Sequence, residues 1–177
     1  MRVRIRATGQ VMYESEFRNY LKQQGSGAWR NQVITEAVMN EFGADPVFEG
    51  PQATGGTVYQ YSQYDGVQKE YDGKWYTKYI LGPVFNDYTD ENGVFRSAAD
   101  QETEYKASKD AEQAASMRSE RDQLLAKTDW VIIKAVDASI DGLGIQLPQQ
   151  WMDYRKALRD VPTQAGFPWN VVWPNKP

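Results

Sequence analysis

From Ala98 to Lys127 the chain carries neither proline nor glycine and is dominated by Ala, Glu, Gln, Lys and Arg. These residues lose least on entering a helix, and Glu102 stands four positions before Lys106, the orientation that stabilises a helix surface. The run predicts one long helix, about 45 Å at 1.5 Å of rise per residue. Ser97 followed by Asp100 has the spacing of its start. Apolar residues are sparse until Met117, Leu124 and Leu125, so the first half is expected to cross solvent or rest lightly on a partner. A coiled coil is the alternative, although the apolar heptads are not sustained. The rest of the chain must fold on either side of this rod. The expected division is a module over 1–85, a linker over 86–97, the helix over 98–127 and a C-terminal domain over 128–177, with 118–127 serving both helix and domain.

In front of the rod, Arg2-Val-Arg-Ile-Arg-Ala7 alternates strictly, which predicts a strand with three arginines on one face and Val3, Ile5 and Ala7 on the other. Such an arginine row could grip phosphate or an acidic partner, or simply be solvated. Tyr13, Phe17, Tyr20 and Leu21 fall at helical spacing, as do Val33, Ala37, Val38 and Phe42 in a second helix expected over 31–42, before the helix-stopping Gly43. Between Val58 and Leu81, Asp65-Gly66 and Asp72-Gly73 punctuate segments rich in Val and Tyr, the pattern of tight hairpin turns. The expected module is therefore α+β: two helices on a three-stranded antiparallel meander. Asn86 to Gly93 turns polar, which marks the linker.

The composition excludes several kinds of chemistry. Among 177 residues there is no cysteine and no histidine. Disulfides, thiolate metal sites and every triad or zinc hydrolase built on His are excluded. A net charge of −4 argues against a nucleic-acid binder, which needs a basic face. No apolar run approaches the roughly 20 residues of a membrane span, and the N-terminus has no apolar signal core.

Apparent site motifs fail on inspection. Gly50-Pro-Gln-Ala-Thr-Gly-Gly-Thr57 has the glycine spacing of a phosphate loop, but Gly56 occupies the place of the required lysine. Setting Gly93 at the sixth position of a calcium loop puts Tyr88 first and Ala99 twelfth, so both essential ligands are missing. No metal, cofactor or catalytic residue is therefore expected, and the chain reads as a non-enzyme. Tyr59, Tyr61, Tyr64, Tyr71, Tyr76 and Tyr79 with Trp75 could be an aromatic platform for sugars or the cross-strand pairs of a small sheet.

Beyond the rod the reading is Thr128-Asp129-Trp130, an extended Val131-Ile132-Ile133, a loop from Asp137 to Pro148, a helix from Gln149 to about Arg159, and a proline-rich tail from Pro162 to Pro177. Three pieces stand out: Arg118-Ser-Glu-Arg-Asp-Gln-Leu-Leu-Ala-Lys-Thr-Asp-Trp130, Trp151-Met-Asp-Tyr-Arg-Lys-Ala-Leu-Arg-Asp160, and Gly166-Phe-Pro-Trp169 with Val172-Trp-Pro-Asn-Lys-Pro177. In that order they resemble the phage tail assembly chaperone domain, from which they depart in the insert Ala135 to Pro148. The wider architecture is similar to tail-fibre assembly proteins of tailed phages, and Phe48 through Tyr79 is similar to pieces of marine phage tail proteins.

The resemblance implies a protein made in the host cytoplasm and acting at the virion tail, with other tail proteins of fibre or baseplate as partners and no nucleic acid or membrane insertion. Self-association is compatible with it. The leading expectation is a structural adaptor at the baseplate or fibre attachment; the alternatives are a chaperone that leaves after fibre assembly and a carbohydrate-binding receptor module. Four of the six tryptophans, Trp130, Trp151, Trp169 and Trp173, lie in the last segment, more than so small a core readily buries. Its prolines deny the tail a helix or ladder of its own, so Phe167, Trp169, Trp173 and Pro174 are the expected partner contacts, with Arg155 and Arg159 on the preceding helix.

Overall fold

Alternation governs β1 (Arg2–Ile5), whose Val3 and Ile5 are buried while its arginines face the other way. Antiparallel neighbours flank it, β2 (Val11–Tyr13) on one side and β3 (Ala44–Phe48) on the other. Against the buried face pack α1 (Glu14–Gln23) and α2 (Glu36–Glu41), giving a core of Val3, Ile5, Met12, Phe17, Leu21, Ile34, Met39 and Ala44. The computed structural model, which describes residues 1–140 and 147–177, divides into two compact units, Met1–Val84 and Phe85–Pro177. The fold class is α+β: a five-stranded sheet with helices in the first unit, and a long helix followed by shorter ones in the second.

The first unit corrects the expected meander. β4 (Tyr61–Lys69) and β5 (Trp75–Gly82) form a hairpin of two strands, not part of a run of three, and the sheet order is β2-β1-β3-β5-β4. Asp72-Gly73 makes the turn as expected, with Gly73 at φ 79 and Glu70 N–H bonded to Lys74 O at 2.9 Å. Asp65-Gly66 instead sits inside β4, where the register slips between Tyr64 and Val67. A bulge and a tight turn both use the positive φ that glycine tolerates, here 91° at Gly66, so the dipeptide alone does not separate them. Lys78 on β5 holds the bulge through Asp65 at 2.6 Å.

β3 has no counterpart in the sequence reading because Pro46 lies inside it. Arg6 N–H bonds Gly43 O at 2.9 Å, and alternation from there turns the Pro46 nitrogen away from β1 towards β5. Parallel pairing with β5 begins only at Val47, so the missing donor leaves no gap in a ladder. The second helix is shorter than the expected 31–42. Residues 29–32 are instead gathered by Arg18, which donates to the carbonyls of Trp29 at 2.8 Å and Asn31 at 2.6 Å while paired with Glu14.

In the second unit, the segment expected as a linker holds a short antiparallel pair, β6 (Tyr88–Thr89) and β7 (Phe95–Arg96). Asp90 makes its turn by accepting from the N–H groups of Asn92 and Val94, both at 2.9 Å. The rod is α3 (Ala98–Ala126), capped by the Ser97 hydroxyl, which accepts from Asp100 N–H at 3.1 Å. α4 (Asp129–Ile140) overturns the extended reading of Val131-Ile132-Ile133 and takes in the start of the expected loop. Residues 141–146 of that loop lie outside the described residues. The β-branched run suggested a strand, but such residues lose only tenths of a kcal/mol each in a helix, which packing at Val131 and Ala138 overrides. α5 (Gln149–Asp160) falls where expected.

Candidate docking surface

Arg155 organises the second unit. Its Nη1 donates to Leu125 O at 2.9 Å and to Thr128 Oγ1 at 2.6 Å, and its Nη2 to Asp129 Oδ1 at 2.8 Å. The Thr128 hydroxyl in turn donates to Leu125 O at 2.8 Å. The corner where α3 ends and α4 begins is therefore stitched to α5 by one planar guanidinium. This arrangement makes Thr128, Asp129 and the arginine of the α5 motif parts of a single device. Tyr154 and Leu158 are buried beside it, as is Val161 just beyond the helix.

The tail folds back on its own unit. Gln164 clamps Val172 twice, Nε2 donating to Val172 O and Oε1 accepting from Val172 N–H, each at 2.8 Å. Within that loop Asn170 N–H bonds Gly166 O at 2.7 Å, and a Cβ on Gly166 would stand 2.5 Å from Asn170 O, so only glycine fits. The loop lays its aromatic residues on α3: the Trp169 indole N–H donates to Asp110 Oδ1 at 2.6 Å, and Arg118 lies 5.2 Å from the centre of the Phe167 ring. Pro174, Lys176 and Pro177 run beside Gln150, Asp153 and Tyr154 of α5.

Of the residues expected to contact a partner, Arg155, Phe167 and Trp169 thus make contacts within the chain. Trp173 and Pro174 are half-buried, and Arg159 is exposed. A different apolar surface is open. Along α4, Trp130, Ile133, Val136 and Ile140 follow at intervals of three, three and four residues, with exposures of 48%, 58%, 51% and 77%. Val131 and Ala138 are buried on the opposite side of the same helix. The helix is thus apolar on two faces, one of them uncovered by the described residues. Met152 on α5 is also exposed. The helical spacing of Trp130, Ile133 and Ile140 was available in the sequence, but the extended reading of 131–133 hid it.

Beside this ridge, between α4 and α5, is a half-open pocket of about 330 Å³ lined by Trp130, Val131, Lys134, Ala135, Leu147, Pro148 and Trp151. The two indoles meet edge to face, centroids 5.8 Å apart. The Lys134 ammonium stands 5.1 Å from the Trp130 ring centre.

The first unit's aromatic residues are engaged differently. Arg2 lies 4.4 Å from the Tyr64 ring centre and Arg4 3.9 Å from that of Trp75. Tyr64 meets Tyr79 edge to face across the hairpin, the Tyr79 hydroxyl donates to Glu49, and that of Tyr76 to Asp72 at 3.0 Å. The arginine row is also tied to Asp45, through Arg6 at 2.7 Å and Arg4 at 3.9 Å. The glycine-rich loop at Gly50 connects β3 to β4 rather than a strand to a helix, and Gly50 N–H is bonded to Thr77 Oγ1 at 2.8 Å. Among the described residues no group of three or more acids is placed to hold a metal ion, and no helix is long and apolar enough to cross a membrane.

Fold and surface together define two units, a small α+β module and a helical unit that carries an open apolar ridge. Residues 114–177, which hold the α3 end, α4, α5 and the tail, match the family of phage tail assembly chaperone proteins. The match supports a bacteriophage tail-related, non-enzymatic role and interaction with other tail proteins. No curated protein and no solved structure matches the chain.

Proposed function

We propose that the protein holds another phage tail protein on its C-terminal unit during tail assembly, acting as a docking chaperone. The observation that carries this reading is the apolar ridge Trp130, Ile133, Val136 and Ile140, which stands uncovered within the segment that matches the tail assembly chaperone family. Exposed apolar surface costs solubility unless a partner covers it, and the polar length of α3 keeps the rest of the unit wettable. A retained adaptor at the baseplate or fibre attachment would use the same surface, so the two roles differ in what happens after docking. Mass spectrometry of purified virions separates them. The chaperone reading expects the protein in infected-cell lysate bound to a tail protein and absent from mature particles. Stoichiometric copies in the particle would establish the adaptor instead.

A further inference from the structure

We infer that the slot between α4 and α5 receives one apolar side chain of the partner tail protein, and that the partner carries a carboxylate next to that side chain. This rests on the docking reading above and names the chemistry of the occupant. At about 330 Å³ the slot is near the lower end of the range for ligand pockets, suited to a side chain or two rather than a large cofactor. Its walls are the indoles of Trp130 and Trp151, with Val131 and Ala135 behind and Leu147 and Pro148 at the edge. It shares Trp130 with the exposed ridge of α4. A protein segment lying along that ridge brings a side chain to the slot, which a free small molecule would leave the ridge uncovered to do.

Charge selects the neighbour. Lys134 is the only charged side chain among the described lining residues. Among the described residues no carboxylate lies within ion-pair distance of it. Asp137, three residues further along α4, makes no ion pair with it, Asp129 accepts from Arg155 at 2.8 Å, and Asp153 accepts from the Gln149 amide at 2.8 Å. A partner that covered Lys134 with apolar surface alone would strip water from an ammonium and return nothing. A carboxylate beside the inserted side chain replaces that water, while Trp130 takes part of the charge through its ring face. The preferred segment is thus a large apolar residue adjoining Asp or Glu.

The test uses the full chain and three otherwise identical polar peptides containing Phe-Glu, Phe-Lys or Ala-Glu at their centre. Binding is read from the indole N–H signals of Trp130 and Trp151. Phe-Glu is expected to shift both signals and to bind roughly tenfold more tightly than Phe-Lys, with Ala-Glu weakest. Lys134→Glu, a change at an exposed position, should invert the order of the first two. Ala135→Trp should fill the slot and remove binding of all three. Equal binding of Phe-Glu and Phe-Lys, or an order that Lys134→Glu leaves unchanged, overturns the inference. So does self-association of the unmodified chain in sedimentation that Ala135→Trp abolishes, since the occupant is then a second copy. Co-expression with the phage's tail proteins keeps the two levels apart. If the parental chain captures a tail protein and Ala135→Trp captures it equally well, docking stands and the slot is not its seat. If the parental chain captures none, the docking reading itself fails.

Discussion

The two units solve the burial of apolar side chains in opposite ways. In Met1–Val84 the large apolar residues meet one another: Val3, Phe17, Leu21 and Met39 are all essentially inaccessible, held between one sheet face and two helices. In Phe85–Pro177 the longest element is polar on nearly every side, with only Ala114 buried along α3, while Ile140 is 77% exposed on α4. A sheet with helices on one face closes a core by itself. A long helix with short helices and a tail laid along it does so only locally, through single devices such as Arg155 and the Gln164 clamp. The contrast indicates where each unit is vulnerable: the first to cavities, the second to loss of individual polar ties or of whatever covers α4.

The largest expected effect is therefore a cavity in the first unit. Phe17→Ala should cost about 3–5 kcal/mol, as a fully buried aromatic side chain does when its neighbours cannot collapse into the space. Thermal unfolding of the full chain should lose the first unit's transition and keep the second's. A single merged transition shifted as a whole would break the comparison, since the units would then share one cooperative core.

Next is Arg155→Ala, which removes three hydrogen bonds and leaves Asp129 Oδ1 without its donor, while Leu125 O keeps the Thr128 hydroxyl. With its side chain only 14% exposed, the loss should be roughly 2–3 kcal/mol, confined to the second unit. Lysine at 155 should rescue little, because a single ammonium cannot reach all three acceptors in the plane of a guanidinium. Full rescue by lysine would show that charge alone matters there.

The comparison sharpens at α4. Ile140→Ser on the open ridge should change the unfolding free energy by no more than about 0.5 kcal/mol, as surface changes do. It should nonetheless weaken capture of a tail protein roughly tenfold or more, in line with loss of an apolar interface anchor. Destabilisation without loss of capture would mean that the ridge packs against its own chain. Trp169→Phe is the reciprocal probe: it removes the indole donor to Asp110 and should lower stability by about 1–2 kcal/mol.

Legibility followed the range of the forces involved. The rod, the α5 helix, the Asp72-Gly73 turn and the alternation of β1 depend on residues close in sequence, and each could be read there. β3 could not, because whether Pro46 is tolerated depends on which neighbour its nitrogen faces and where pairing with β5 begins. Asp65-Gly66 could not, because the choice between bulge and turn rests with β5 across the sheet. α4 was misread because propensity is weak where Val, Ile and Ile are consecutive. The tail was read correctly as lacking its own ladder, but its surface of contact, Asp110 and Arg118 on α3, lies some fifty residues away.

The smallest effect concerns the first unit's one tight hairpin turn. The Lys74 backbone N–H, bonded to Asp72 Oδ1 at 3.0 Å, holds the Asp72 carboxyl below the usual carboxylate range, and the Tyr76 hydroxyl at 3.0 Å adds to this. The same Tyr76–Asp72 bond pushes the Tyr76 phenol up. A carboxyl whose folded value is depressed contributes stability above its unfolded value and loses it as pH falls through the folded one. A phenol whose value is raised contributes below its unfolded value and loses it as pH rises through the folded one. The hydrogen bond is thus intact across neutral pH and fails at both ends, and the exposure of Asp72 keeps its contribution small. NMR titration should find Asp72 titrating below the same residue in a short 70–76 peptide. In Asp72→Asn the Tyr76 phenol should move back towards its ordinary value of 10.0. An unchanged Tyr76 titration would mean that the turn is held by its backbone bonds and the glycine alone.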